Sequence, residues 1–319
     1  MGSVKLHGAD AFKTTTEERK AKTTLARYVG KASDLIKNYK FVTSNLTTRQ
    51  KARTPIKIAK ATTTVLKVTE YYAKITGVGT PAPKINLIES NKYCGFFQYN
   101  KPMEITLNSK IGLTPGTIAH EMVHKDRHET VDRQQFSTPQ GTATIRTHLQ
   151  GHYKTTDIIT TNEACATFGD AAFVTKDIGN KEERKKKIIE TLRNIYSHET
   201  SAVKAALLIV DMFEKQQKTG KQQQGLHPLM SNIKEALCDA NTAIPKGQPG
   251  DAIKPSSEHI IGAGLALILF TANNYDAEKT LKEALTQDLS RIQWHAGTAI
   301  GDSLDGGNWL RKELKEQGE

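Results

Sequence analysis

The sequence predicts an α+β fold that is mostly helical, with a small sheet packed on one central helix and a helical C-terminal lobe. Three observations lead there. Apolar residues recur at helical spacing through residues 1–80 and through nearly all of residues 176–319. Two short segments between them, Ile85-Asn86-Leu87-Ile88 and Met103-Glu104-Ile105-Thr106-Leu107-Asn108, have the composition or the alternation of strands. Directly after these, Thr114-Pro115 opens a helix, with threonine as N-cap and proline at the first helical position.

In order along the chain, Leu25, Tyr28, Val29, Ala32, Leu35, Ile36 and Tyr39 form a first apolar stripe, and Ile58, Val65, Val68, Tyr72 and Ile75 form a second. Gly77 to Pro83 breaks the helical pattern and leads into the strands, where Met103, Ile105 and Leu107 are expected to face the core. Residues 81–175 make up the central unit of strands and helices. A charged start at Lys181 to Lys187 then opens a long helical pattern through Ile188, Leu192, Ile195, Val203, Leu207, Val210 and Phe213. Connectors stand out at Lys215 to Gln224, rich in Lys and Gln, and at Asn241 to Ser256, rich in Pro and Gly. Ile260 to Ala272 is almost wholly apolar but falls short of the roughly 20 residues that cross a bilayer, so it reads as a buried core helix. Leu281, Ala284, Leu285, Leu289 and Ile292 mark one more amphipathic helix before a Gly-rich tail.

The helix that begins at Thr114 carries the chemistry. His120-Glu121-Met122-Val123-His124 puts two imidazoles four residues apart, so both rings project from one face of the helix and can reach one metal ion. Glu121 is then placed to act on a metal-bound water rather than on the metal, the H-E-x-x-H arrangement of a hydrolytic zinc site. Such a site needs a third protein ligand and one open position, and Thr161-Asn162-Glu163-Ala164-Cys165-Ala166-Thr167-Phe168 offers the strongest candidate.

That segment together with His120 to His124 resembles the gluzincin class of zinc metallopeptidases, thermolysin-like enzymes among them, over roughly residues 85–170. The resemblance implies a zincin-like core in residues 81–175, one zinc ion held by His120, His124 and Glu163, and Glu121 as general base. It also implies a Tyr or His upstream of the third ligand that donates a hydrogen bond to the developing oxyanion, a role open to Tyr153, which reads equally as a packing residue. The chain departs from the class one turn after Glu163, where a carboxylate should support a metal-binding histidine. Thr167 stands there, and Asp170 follows a further turn on.

Other readings compete for these residues. Thr160-Thr161-Asn162-Glu163 is also a capping box, in which Glu163 merely reaches back to the helix start. His128 lies about 12 Å beyond His120 along a continuous helix and cannot share its ion. Glu129 and Asp132 stay open as third ligands if the helix ends near Lys125. His148 and His152 have helical spacing but no adjacent Glu, and His198, His227, His259 and His295 read as satisfied or exposed histidines. Cys165 reads as a small buried residue rather than a nucleophile.

The 319 residues carry 45 Lys and Arg against 34 Asp and Glu, a net charge of +11, which favours acidic partners: an acidic protein substrate, nucleic acid or an anionic membrane surface. No motif of basic and aromatic residues accompanies the charge. Met1 to Lys13 has no apolar signal region, and Leu6 occupies the position where a myristoylation motif wants Ser or Thr. The three cysteines, Cys94, Cys165 and Cys238, have no metal or redox spacing, as suits a reducing compartment. The expectation is a zinc endopeptidase acting on a protein substrate, cytoplasmic or exported without a cleavable signal, with the strand Met103 to Asn108 lying along the cleft and holding substrate by β-augmentation. The alternative is a basic protein- or nucleic-acid-binding module whose zinc site is structural or degenerate.

Overall fold

A computed structural model describes residues 48–88, 94–101, 103–138, 141–145, 155–194, 201–218, 232–233, 257–301 and 308–316. All of them fall in one compact unit, Phe41–Glu319. The first predicted stripe, Leu25 to Tyr39, lies outside the described residues, as do Tyr153, His148, His152, His198, His227 and Cys238. The described chain is mostly helical, with a mixed three-stranded sheet and a separate hairpin.

Helix α1 (Thr48–Thr76) buries Ala61, Val65, Val68 and Tyr72, the face that the second stripe marks, and ends where Gly77 takes a φ of 76°. Strand β1 (Lys84–Ile88) pairs in parallel with β3 (Glu104–Asn108), and β2 (Gly95–Phe97) pairs antiparallel on the other side of β3. The sheet order β1-β3-β2 therefore makes β3 the central strand. Its hydrogen-bonding groups are taken on both sides, so Met103 to Asn108 cannot accept a substrate strand, and that expectation is corrected. The alternation is corrected too: Thr106 and Asn108 are as buried as Ile105 and Leu107, while Met103 is exposed. A strand covered on both faces buries its polar positions as well.

Helix α2 (Pro115–Arg127) starts as expected, with the Thr114 hydroxyl accepting from Thr117 N and Pro115 in the first turn. It does not end near Lys125 but runs on through Arg127 into a π turn, His128–Asp132. A hairpin that periodicity did not reveal follows, β4 (Gln135–Thr138) with β5 (Gly141–Thr144).

Helix α3 (Thr155–Val174) crosses α2 closely: a Cβ on Gly169 would lie 2.2 Å from Val123 Cγ2 and 2.8 Å from the Tyr72 hydroxyl. That hydroxyl donates to the Ala119 carbonyl of α2 at 2.9 Å, tying α1 to the same crossing. The long pattern after residue 181 divides into α4 (Lys181–Arg193) and α5 (Ser201–Lys218). Helix α6 (Ser257–Ala272) is the buried apolar helix expected there, packed between α3 and α5. The next predicted helix also divides, into α7 (Ala277–Thr286) and α8 (Leu289–Gly301), because the Asp288 side chain accepts from Ser290 N and Arg291 N and starts a new helix. The Gly-rich tail carries α9 (Asn308–Glu316), tied to α5 by Arg311 bonded to Asp211 and Glu214. Among the described residues no helix is long and apolar enough to cross a membrane.

Candidate metal centre

The α2–α3 crossing brings Glu163 to the two histidines of α2. His120 Nε2 lies 3.1 Å from Glu163 Oε2, His124 Nε2 lies 3.5 Å from Glu163 Oε1, and the two Nε2 atoms are 3.2 Å apart. Tetrahedral zinc with bonds of about 2.0–2.1 Å sets neighbouring ligand atoms about 3.3 Å apart. The donor set fits that spacing. Two imidazole nitrogens and a carboxylate converge, and two facing nitrogens can share only one proton between them, whereas a single cation serves all three donors. Among the described residues this is the one group of three or more His, Cys, Asp or Glu side chains so placed, with all ligand atoms within 4.8 Å of one another. The side chains of His120, His124 and Glu163 keep 13%, 9% and 13% of their surface exposed, so the group is recessed but reachable.

Glu163 is not a cap. Helix α3 begins at Thr155, which puts Glu163 two turns inside it, and the capping-box reading fails because the helix start it requires is elsewhere. The rival carboxylates are engaged or distant. Glu129 Oε2 lies 2.9 Å from Lys125 Nζ, a fully buried ammonium that also bonds Asp126 and the Pro81 carbonyl. Asp132 sits 3.9 Å from His128 on the π turn.

Glu121 and Glu163 share the site but differ in state. Burial pushes the Glu121 carboxyl up to about 7, eased by the nearby His120 and reinforced by Glu163. Burial would raise Glu163 as well, but the imidazoles of His124 and His120 outweigh it and hold this carboxyl well below the usual range. One carboxylate is fixed as an anion and the other is poised to exchange a proton near neutrality, a division of labour that suits a ligand and a base.

The edge strand β2 runs along this helix. Gly95 faces Glu121 so closely that a Cβ there would lie 3.0 Å from Glu121 Cγ and Oε1. Phe97 and Tyr99 then pack against His128, the first tilted and the second edge-on, with ring centroids 5.8 and 5.4 Å away. The Asn162 amide donates to the Tyr99 hydroxyl, which joins the end of this strand segment to the helix of Glu163.

The structure places both residues of the departure one and two turns after Glu163 on α3. Thr167 is buried, and its hydroxyl has no hydrogen-bond partner among the described residues. Asp170, one turn on, lies against the first turn of α2, where a Cβ on Gly116 would meet its Oδ1 at 2.3 Å. Burial raises Asp170 to about 6, and the nearby His120 counters that rise. Asp170 thus sits beside the positive N-terminal end of α2.

His259, read from the sequence as a satisfied or exposed histidine, finds its partner at the edge of this group. It sits on the first turns of α6 with Nε2 3.2 Å from Glu163 Oε2, and its ring lies parallel to that of His120 within 9° at 6.0 Å. Burial lowers its pKa, with Glu163 opposing. No local signal could have found it, since it comes 96 residues after Glu163 and has no other metal-binding residue type at helical spacing. Gly262, one turn later, is no clear hint, since Gly264 follows in the same helix. His295 instead pairs with Glu283 at 2.6 Å, away from the group. Cys165 is fully buried and its thiol is pushed up to about 11, as befits a packing residue.

No family model, curated protein or solved structure matches this chain.

Proposed function

We propose that the chain is a zinc-dependent endopeptidase of gluzincin type that hydrolyses peptide bonds of a protein substrate. The convergence of His120, His124 and Glu163, with Glu121 buried beside them, carries the reading. Zinc held there would act as a Lewis acid and lower the pKa of a water at the site. Glu121 removes a proton from the attacking water and returns it to the leaving amine, which its near-neutral carboxyl environment suits. Glu163 remains anionic and orients the two imidazoles. Strand β2, not β3, holds the substrate main chain, because its outer edge has no partner strand among the described residues and Gly95 brings it against Glu121. The role of donor to the oxyanion is assigned to Tyr153 from the resemblance alone. The charge of +11 favours an acidic substrate, and cysteines without metal or redox spacing suit a reducing compartment, for a chain that acts in the cytoplasm or is exported without a cleavable signal.

A structural zinc site closes with four protein ligands. The described group has three, which favours the catalytic reading over a protein- or nucleic-acid-binding module with a structural or degenerate site. The deciding experiment reconstitutes the protein with zinc and follows both metal content and cleavage of a denatured protein substrate. One equivalent of zinc is expected, with hydrolysis lost on chelation and regained with zinc. Glu121→Gln should keep the metal and lose about 10²–10⁴-fold in rate. Absence of zinc, or parent-like hydrolysis by Glu121→Gln, overturns the proposal.

A further inference from the structure

We infer that His259 is a positioning residue for the metal ligand Glu163, holding the second carboxylate oxygen and thereby setting the metal affinity of the site from the C-terminal helical lobe. The inference rests on the reading of His120, His124 and Glu163 as a metal centre. Glu163 offers two oxygens, and they face different neighbours: Oε1 is the oxygen next to His124, while Oε2 lies 3.1 Å from His120 Nε2 and 3.2 Å from His259 Nε2. His259 is not itself within the compact donor group, which contains only the other three residues. An imidazole N–H that close to one carboxylate oxygen restrains rotation about the terminal side-chain bond. That rotation is broad and soft when nothing opposes it. Held this way, the carboxylate presents one oxygen to the metal and spends the other on His259, which leaves a coordination position open, as a catalytic site requires.

The backbone is built to keep His259 there. Gly262 lies one turn after His259 on the same side of α6, at the crossing with α3. A Cβ at Gly262 would come within 2.9 Å of Ala164 N, 3.0 Å of Glu163 Cβ and 3.1 Å of Glu163 C. The two helices therefore touch at the ligand residue itself. The His259 side chain retains 28% of its surface, so its ring is held by this crossing and by the parallel His120 ring rather than by complete enclosure.

The test measures zinc affinity of the full chain by competition with a chromogenic chelator, with circular dichroism as the check on folding. His259→Ala should remain folded and bind zinc about 10–100-fold more weakly, the range typical of lost outer-shell partners. His259→Gln, whose amide can still donate to Oε2, should recover affinity to within a few-fold of the parent. A parent that binds zinc while folded His259→Ala binds it equally well overturns this inference and leaves the metal-centre reading intact. A His259→Gln variant as weak as His259→Ala also overturns it, since the donor would then not be what matters. Should His259→Ala fail to fold, His259→Met, which fills the space without a donor, takes its place with the same expected loss and the same refuting result. A parent that binds no zinc overturns both readings.

Discussion

Replacing Gly95 by alanine tests the placement of the proposed base without altering any ionisable group. The new methyl would lie 3.0 Å from both Cγ and Oε1 of Glu121 and 3.2 Å from Cδ2 of Leu107. Carbon atoms pack best at about 3.5–4.0 Å, so Glu121 must retreat by about half an ångström. Neither neighbour has free space to enter, because Glu121 is 5% exposed and Leu107 is fully buried. Overpacking of this kind costs about 1–3 kcal/mol, which should appear as a lowered melting temperature with the fold retained. Misplacing a reacting group by about 1 Å can cost on the order of 10²-fold in rate, so half that displacement predicts a loss of about tenfold. The three proposed metal ligands are not among the atoms the methyl meets, and zinc affinity should match the parent. The assay is kcat/KM on a quenched-fluorescent peptide, paired with chelator competition and a thermal melt. A folded Gly95→Ala variant with the parent's kcat/KM would refute the argument that β2 sets the position of Glu121.

Three further outcomes are expected. Glu163→Gln should stay folded by circular dichroism yet release zinc at chelator concentrations the parent withstands, since Glu163 lies two turns inside α3 and contributes no cap; retention of zinc would send the search for a third ligand elsewhere. Arg127→Met should lower stability by about 2–5 kcal/mol in urea titration, because the buried guanidinium donates to the carbonyls of Ala284 and Gln287, which the thioether leaves unpaired. A loss below about 1 kcal/mol would mean that water replaces those bonds. Cys165, buried and with its thiol at about 11, should resist iodoacetamide at pH 8 in the native protein and react only after denaturation, as peptide mapping by mass spectrometry would record. Native labelling of Cys165 would show that the α3 environment opens.

What could be read from the sequence was whatever depends on near neighbours in the chain. The cap at Thr114, the proline after it and the four-residue spacing of His120 and His124 are local, and the helix they specify forms as expected. The buried stripe of α1 and the apolar character of α6 are also properties of single elements, set by periodicity and length. Local signals misled where two of them competed. The capping-box pattern at Thr160 was outweighed by a helix already under way from Thr155, and the single patterns read after residues 181 and 281 were each divided into two helices.

Tertiary structure alone decided which strand is at the edge, since pairing order is a relation among three segments and the alternation of β3 speaks only of its faces. It also decided that Glu163 meets the histidines, through a crossing so close that only glycine fits at position 169, and that His259 joins them from a helix far along the chain. Side-chain period reports which face of an element is buried. It carries no information about which distant face it is buried against, and the candidate donor group, on two helices, has His259 beside it from a third that lies far along the chain.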